Sequence, residues 1–248
     1  QISALDQSKI GALTTTQIAA MTSQQIKGLN AASAGALLET QIAAMTGAQI
    51  AALTAASLAA MGETQIGAMT TTQVGALVRS QIAALASTTL SALSADQAGA
   101  LNSTQLRALT STQLASLAAE DLAEFSAAQL SEFTAAQVAA LSSTAMAGLA
   151  ATALSAPPAT QSGALTAQQM AGFNQTNVAA FATSQLSAMA ATQVAAFSTT
   201  ALSALDAAQF NAFTTTQVRA ITATQLAALD AADIADFTTT QVAALTTP

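Results

Sequence analysis

The sequence predicts an all-α repeat solenoid of very short helices. An eight-residue unit, or octad, repeats from Leu5 to Ala244 without insertion or deletion, giving 30 full copies with partial copies at residues 1–4 and 245–248. Most copies carry the residues that start an α-helix. Apolar side chains recur at two fixed positions of the octad. Small identical units of this kind stack so that each copy contacts its neighbours.

The octad reads Leu-Thr-Thr-Thr-Gln-Ile-Ala-Ala at residues 13–20, and we number its positions one to eight from the Leu. Position one is Leu, Met, Phe or Ile in all copies but one. Position six is Ile, Val, Leu, Met or Phe in all but three. Position two is Ser, Thr, Asp or Asn in 21 copies, position five is Gln in 20, and positions seven and eight are mostly Ala, Gly or Ser.

Neither a strand nor a continuous helix fits this spacing. Apolar residues spaced five and three apart would fall on opposite faces of a strand, because its side chains alternate at every residue. A helix turns about 100° per residue, so a period of eight would drift by roughly 80° per copy. A helix that restarts in every octad avoids both problems.

Residues 13–18 carry the sequence signals that start a new helix. Thr14 is the predicted N-cap and Gln17 the third helical residue, which is the spacing of a capping box. Leu13 and Ile18 flank them as the partners of a hydrophobic staple. We expect one capped helical turn or two per octad, about six or seven residues, stabilised by stacking because isolated helices this short are marginal.

Positions one and six share a face and are the predicted core. Positions three and seven share another face, predicted to meet solvent because it holds the charged residues Lys27, Glu39, Glu63, Arg79, Arg107 and Arg219. Small residues at positions seven and eight would let neighbouring helices approach closely. The number of octads per turn stays open: two would make a helical hairpin, but no 16- or 24-residue superperiod is present, so equivalent octads in a smooth spiral fit equally.

The predicted domain organisation is one continuous array over residues 1–248 with one irregular octad at residues 157–164. There Pro157 replaces the core residue at position one, Pro158 the cap and Ser162 the aliphatic residue at position six. A local bend or joint is one interpretation. We favour a tolerated defect, because solenoid energetics are local and absorb one weak repeat. Since the chain begins with Gln1 and both ends fall inside the repeat, we expect a processed product or part of a longer array.

The composition restricts the classes of partner that the chain is expected to bind. Charged residues are only 7% of the chain and the five cations are far apart, which argues against nucleic-acid binding. No apolar run is long enough to span a membrane, because polar Thr and Gln return in nearly every octad. A surface this poor in charge favours packing against other copies of the same chain.

The only candidate metal ligands are two acidic clusters. One comprises Glu120, Asp121, Glu124 and Glu132, and the other comprises Asp230, Asp233 and Asp236. Carboxylate oxygens at such spacing suit Ca²⁺, but no calcium-loop motif accompanies them, and we favour a solvated acidic face with Asp230 as an N-cap. We expect no cofactor and no catalytic site, because the chain lacks His and Cys and no unique base accompanies its Ser and Thr residues.

The segments Ala12–Met21 and Ala212–Ile221 resemble the short Ala-Leu-Thr-Thr-x-Gln repeats of very long bacterial proteins described as adhesin-like, haem-utilisation-like or RTX-like. That resemblance covers nearly the whole chain and implies a surface or secreted setting. Haem use has no support, since no His or Tyr is present to ligate iron. We therefore expect an extracellular or cell-surface structural protein forming a stalk, fibre or self-assembling filament. The alternative is an adhesin-like or ice-binding module with a regular Thr/Ser/Gln face.

Overall fold

The computed structural model describes residue 2 and residues 5–155 and 157–245, and within them it has 30 helices and no strand. The prediction of an all-α solenoid with one short helix per octad is confirmed. The helices have four to six residues, shorter than expected, because each begins at position three and ends near position seven. Of the partial copies at the chain ends, only Ile2 and Leu245 lie among the described residues.

The chain divides into two compact units, unit 1 at residues 1–113 and unit 2 at residues 114–248. The helices wholly inside unit 1 are α1 Gln7–Gly11, α2 Thr15–Ala19, α3 Ser23–Lys27, α4 Ala31–Ala34, α5 Glu39–Ala43, α6 Gly47–Ala52, α7 Ala55–Ala59, α8 Glu63–Gly67, α9 Thr71–Gly75, α10 Arg79–Ala84, α11 Ser87–Ser91, α12 Ala95–Gly99 and α13 Ser103–Leu106. Helix α14, Ser111–Ser116, contains the division between the units.

Unit 2 continues the same register of one helix per octad. Its helices are α15 Ala119–Ala123, α16 Ala127–Ser131, α17 Ala135–Ala140, α18 Ser143–Ala147, α19 Ala151–Ser155, α20 Ala159–Ser162, α21 Ala167–Gly172, α22 Gln175–Ala179, α23 Thr183–Ser187, α24 Ala191–Ala195, α25 Thr199–Leu202, α26 Ala207–Asn211, α27 Thr215–Ala220, α28 Ala223–Ala228, α29 Ala231–Ala235 and α30 Thr239–Ala244.

Each turn of the solenoid contains three octads. In both units the helices that pack together are three apart in chain order, as α3 packs on α6 and α18 on α21. One turn therefore takes 24 residues, which answers the question that the sequence left open. The three octads of a turn make the same kinds of packing contact, so the sequence does not need a 24-residue superperiod.

The corners between helices use only ordinary backbone conformations. The N-cap Thr14 is extended at φ −73° and ψ 158°, and Leu53 at position one is extended at φ −57° and ψ 139°. Two extended residues thus turn the chain between helices. No residue of the described chain has a positive φ, so the corners do not require glycine.

The core is a ladder of the predicted side chains. Position six is fully buried in the first octads, as at Ile10, Ile18 and Ile26, and stays buried up to the last three octads, where Leu226, Ile234 and Val242 are not. Position one of the full octads is buried from Leu29 onward with the exception of Pro157, where the apolar residue is missing. In unit 2 the Phe residues of successive octads pair edge to face, with ring centroids 5.9 Å apart for Phe125 and Phe133. The six charged residues assigned to the solvent face are all exposed, which confirms that assignment.

Small residues at position eight permit the turns to approach. A Cβ added to Gly148 would overlap the Cβ of Ala119 in the helix one turn earlier. By contrast, a Cβ added to Gly67 would meet nothing within 4 Å. A comparison of substitutions at the two glycines therefore distinguishes the packing requirement at Gly148 from the general effect of glycine on chain flexibility.

We expect Gly148→Ala to lower the free energy of unfolding by about 1–3 kcal/mol, because the added methyl overpacks the contact between α15 and α18. Gly67→Ala, the control, should raise it by about 0.4–1 kcal/mol, because Ala restricts the unfolded chain without a clash. Urea-induced unfolding followed by circular dichroism measures both. Equal effects of the two substitutions would contradict the close packing at Gly148.

Candidate functional site

The most regular polar feature of the structure is a ladder of buried glutamine side chains at position five. Within its own octad, Gln17 forms the predicted capping box: its Oε1 accepts from the Thr14 backbone N–H at 2.8 Å, and Thr14 Oγ1 accepts from the Gln17 N–H at 3.2 Å. The same reciprocal pair forms in octads throughout both units, for example between Thr214 and Gln217. The capping-box prediction is therefore confirmed.

The amide Nε2 of most of these glutamines makes a second set of contacts that sequence reasoning missed. Gln73 Nε2 donates to the carbonyl of Ile42 at 2.7 Å and to that of Met45 at 2.6 Å, 31 and 28 residues earlier. Met45 is position one of the octad directly beneath. Glutamines that donate to a position-one carbonyl 28 residues earlier are Gln41, Gln49, Gln65, Gln73, Gln81, Gln97, Gln105, Gln113, Gln161, Gln169, Gln185, Gln193, Gln209, Gln217, Gln225 and Gln241.

The glutamine ladder supplies hydrogen-bond partners for polar backbone groups at both ends of the helices. A helix leaves its first N–H groups and last carbonyls without intrahelical partners. Oε1 satisfies an N–H at the start of its own helix, and Nε2 satisfies carbonyls at the corner of the preceding turn. Three octads without Gln at position five still make the second bond, by Ser33 to Leu5, by Ser57 to Leu29 and by Asn177 to Leu149.

One signal in the sequence could have revealed the ladder. A capping box accepts Glu or Gln at the third helical residue, yet this chain has Gln in 20 octads and Glu in none. A carboxylate accepts but cannot donate. The preference for Gln over Glu pointed to a required donor.

At each of the two end turns, one side of the glutamine ladder has no neighbouring turn with which to form hydrogen bonds. In the first turn, Gln17 and Gln25 are exposed, and their Oε1 atoms bond only within their own octads. In the last turn, position six loses its cover: Ile234 is 40% and Val242 50% exposed, against 0% for Ile10. Among the described residues, no glutamine reaches the carbonyls at position one of the last three octads, Ile221, Leu229 and Phe237.

Three of the acidic residues considered as metal ligands, Asp121, Asp230 and Asp233, act in capping. Asp121 Oδ2 accepts from the Ala118 N–H at 2.8 Å. Asp230 and Asp233 accept from each other's backbone N–H at 2.9 and 3.0 Å, so the N-cap prediction for Asp230 is confirmed. Glu120 is exposed in the first turn of α15, while Asp236 ends α29 as its C-cap. Within the described part of the chain, no three acidic side chains cluster as a metal ion would need.

The carboxyl of Glu124, in the first of these clusters, has an altered affinity for protons. Partial burial at the end of α15 raises the pKa of its carboxyl above the ordinary value, and the negative charge of Asp121 raises it further. Removing the charge at this position should therefore favour the folded state at neutral pH.

The octad with two prolines keeps its place in the solenoid. Helix α20 forms in register, and it packs on α17 and α23 as the three-octad turn requires. Pro158 occupies the N-cap without a side-chain cap. Even Pro157 supplies its position-one carbonyl, which accepts from Gln185 Nε2 at 2.8 Å.

Comparison with known proteins supports the repeat type. Residues 42–78 match a family model described as the ALTTAQ repeat. Its letters correspond to position eight followed by positions one to five, so they include the cap and the ladder glutamine. No curated protein matches the chain. No helix of the described residues has the length and apolar character needed to cross a bilayer.

We expect Gln73→Glu to lower the free energy of unfolding by about 3 kcal/mol or more, because it places a carboxylate against two carbonyls in the core. Gln17→Glu is the matched control: it has the same Thr cap but lies in the exposed first turn, and its stability should change by less than about 0.5 kcal/mol. Denaturant unfolding compares the two. A small loss for both variants would contradict the ladder.

We expect Glu124→Gln to raise the unfolding temperature at pH 7, because the folded state no longer carries a disfavoured charge. A raised folded pKa means that the native Glu124 penalty is present above that pKa and disappears as the pH falls to about 4.5, the ordinary value. The gain should disappear over the same range. Glu120→Gln, an exposed change on the same helix, is the control, and a gain that is independent of pH would contradict the assignment.

Proposed function

We propose that the chain is a structural repeat protein of the extracellular space or cell surface, forming a stalk, a fibre or a self-assembling filament, and that it is not an enzyme. The observation that carries the proposal is the ladder, in which each turn presents to the next the donors or acceptors that the next turn lacks. The missing His and Cys residues support a non-catalytic role. The bacterial adhesin-like setting belongs to this proposal through the repeat resemblance.

The faces of the first and last described turns are complementary. Exposed Gln17 and Gln25 supply amide donors at the first turn, and Ile234 and Val242 supply uncovered apolar surface beside open carbonyls at the last. Either further octads of the same chain or the first turn of another copy would satisfy both. A head-to-tail contact of this kind is heterologous and extends into a filament when its rotation does not close a ring.

A binding face of Thr, Ser and Gln has weaker support than the structural role. Most position-five glutamines are buried and bonded between turns, so they contribute nothing to a face. Several position-two Thr hydroxyls, such as that of Thr214, already accept a backbone N–H. A regular binding array would therefore depend on the exposed Thr and Ser side chains at positions three and four, and these positions vary freely along the chain.

We expect the purified chain to associate in a concentration-dependent manner and Ile234→Lys with Val242→Lys to abolish the association, because two charges would lie on the apolar end. Leu38→Lys with Val78→Lys is the control: these side chains are 52% and 44% exposed but lie away from the end turns. Sedimentation velocity separates the outcomes. An equal loss of association in both variants would indicate nonspecific hydrophobic association instead of contact between end turns. Monomers at every concentration would contradict the filament.

The location is tested separately in cells of the source organism. An antibody raised against the chain should label intact cells, and protease added outside should remove the label. Labelling only after the cells are opened would contradict a surface or secreted role. A fibre or stalk version that does not polymerise remains compatible with monomers in solution but not with an internal location.

A further inference from the structure

A partly enclosed cavity of about 30 Å³ lies at the octad with two prolines. Ser162 stands at position six of this octad, where Leu154 and Met170 fill the neighbouring octads. Ser162 is nevertheless buried, so the volume of the missing aliphatic side chain stays open. A buried water needs about 10–15 Å³ of such volume, and the cavity is therefore large enough for one.

Gln161 lines the same cavity and carries a buried acceptor without a partner. The residue is only 5% exposed, and its Oε1 has no hydrogen bond among the described residues. In the next octad the corresponding Gln169 Oε1 accepts from the backbone N–H of Thr166 at 2.7 Å. Here position two is Pro158, which has no N–H to donate.

The orientation of the Gln161 amide is fixed by its other contacts. Its Nε2 donates to the carbonyl of Ser131 at 2.7 Å and to that of Phe133. Turning the amide over would place Oε1 against two carbonyls and leave those acceptors without a donor. The unpartnered group in the cavity is therefore an oxygen, which needs a hydrogen-bond donor.

Ser162 is the other polar side chain that lines the cavity, and its hydroxyl can both donate and accept. A ligand must therefore be very small, donate to Gln161 Oε1 and find its second polar partner at Ser162. Water meets all three conditions, because a buried water needs two to four polar partners. A cation would meet the same oxygens but would lose its hydration among apolar side chains such as Leu154 and Leu165.

We propose that one water molecule binds in this cavity, donates to Gln161 Oε1 and forms its second hydrogen bond with the Ser162 hydroxyl. The water replaces the backbone N–H that Pro158 lacks. The two departures from the repeat are then complementary: Pro158 removes a donor, and Ser162 provides the space and the second partner for a water that replaces it. The site does not depend on self-association.

The test counts, by oxygen-17 magnetic relaxation dispersion, the waters that stay in the full chain longer than its tumbling time. Pro158→Thr returns a backbone N–H to Gln161 Oε1, and Ser162→Ile fills the cavity, so each should lower the count by one. Both substitutions restore a residue typical of the octad, so they should not impair folding. Leu38→Thr, the same kind of change at position two in unit 1, is the matched control and should leave the count unchanged.

A nuclear Overhauser contact locates the water. In the unsubstituted chain, the side-chain N–H groups of Gln161 should show a contact to water. The contact should be lost in Pro158→Thr and in Ser162→Ile, and it should remain in Leu38→Thr.

Stability provides an independent readout. With Pro158 in place, Ser162→Ile displaces the water and leaves Gln161 Oε1 buried without a donor. After Pro158→Thr, the same substitution only fills the cavity. The effect of Ser162→Ile on the unfolding equilibrium constant should therefore differ between the two backgrounds by about tenfold, as expected for one unsatisfied buried acceptor.

Four results would overturn the proposal. They are an equal count of long-lived waters in the unsubstituted chain and in both variants, a lower count in Leu38→Thr as well, no water contact at the Gln161 side chain, and additive effects of the two substitutions on stability.

Discussion

Everything in this fold depends on one amide side chain that joins two turns. A helix of four to six residues makes few hydrogen bonds of its own and leaves most of its terminal N–H and carbonyl groups unmatched. Stacking three helices per turn buries the aliphatic ladder, but it would also bury those unmatched groups. The position-five glutamine removes the conflict, because Oε1 and Nε2 serve an N–H and a carbonyl on opposite sides of one interface.

The ladder also fixes how the turns register. Apolar side chains in a core tolerate shifts and substitutions of similar volume, so the aliphatic ladder alone would allow neighbouring turns to slide. An amide that must meet a carbonyl 28 residues earlier permits one alignment. Each hydrogen bond contributes only about 0.5–1.5 kcal/mol net, but a misaligned turn would leave buried donors and acceptors unpaired.

The parts of this fold that were predictable from sequence are local. Thr14 and Gln17 are three residues apart, and Leu13 and Ile18 are five apart, so one octad contains the cap and the staple. The partners of the Gln73 amide lie 28 and 31 residues away, and no motif within an octad can state that distance. The number of octads per turn could not be predicted for the same reason. The role of the acidic residues was also predictable because it is local: Asp230 and Asp233 satisfy a cap within one octad.

The irregular octads show that the two tasks of position five, capping its own helix and bonding to the preceding turn, are separable. Pro158 deprives Gln161 of its capping N–H, yet both bonds from Nε2 to the preceding turn remain. Ser33 and Ser57 are too short to copy the whole glutamine, and both still donate to the position-one carbonyl beneath. Asp121 and Asp233 show the reverse: each accepts the capping N–H of its own octad but, as a carboxylate, cannot donate to the preceding turn. The two tasks are therefore separable, and Gln is the residue that performs both in one octad.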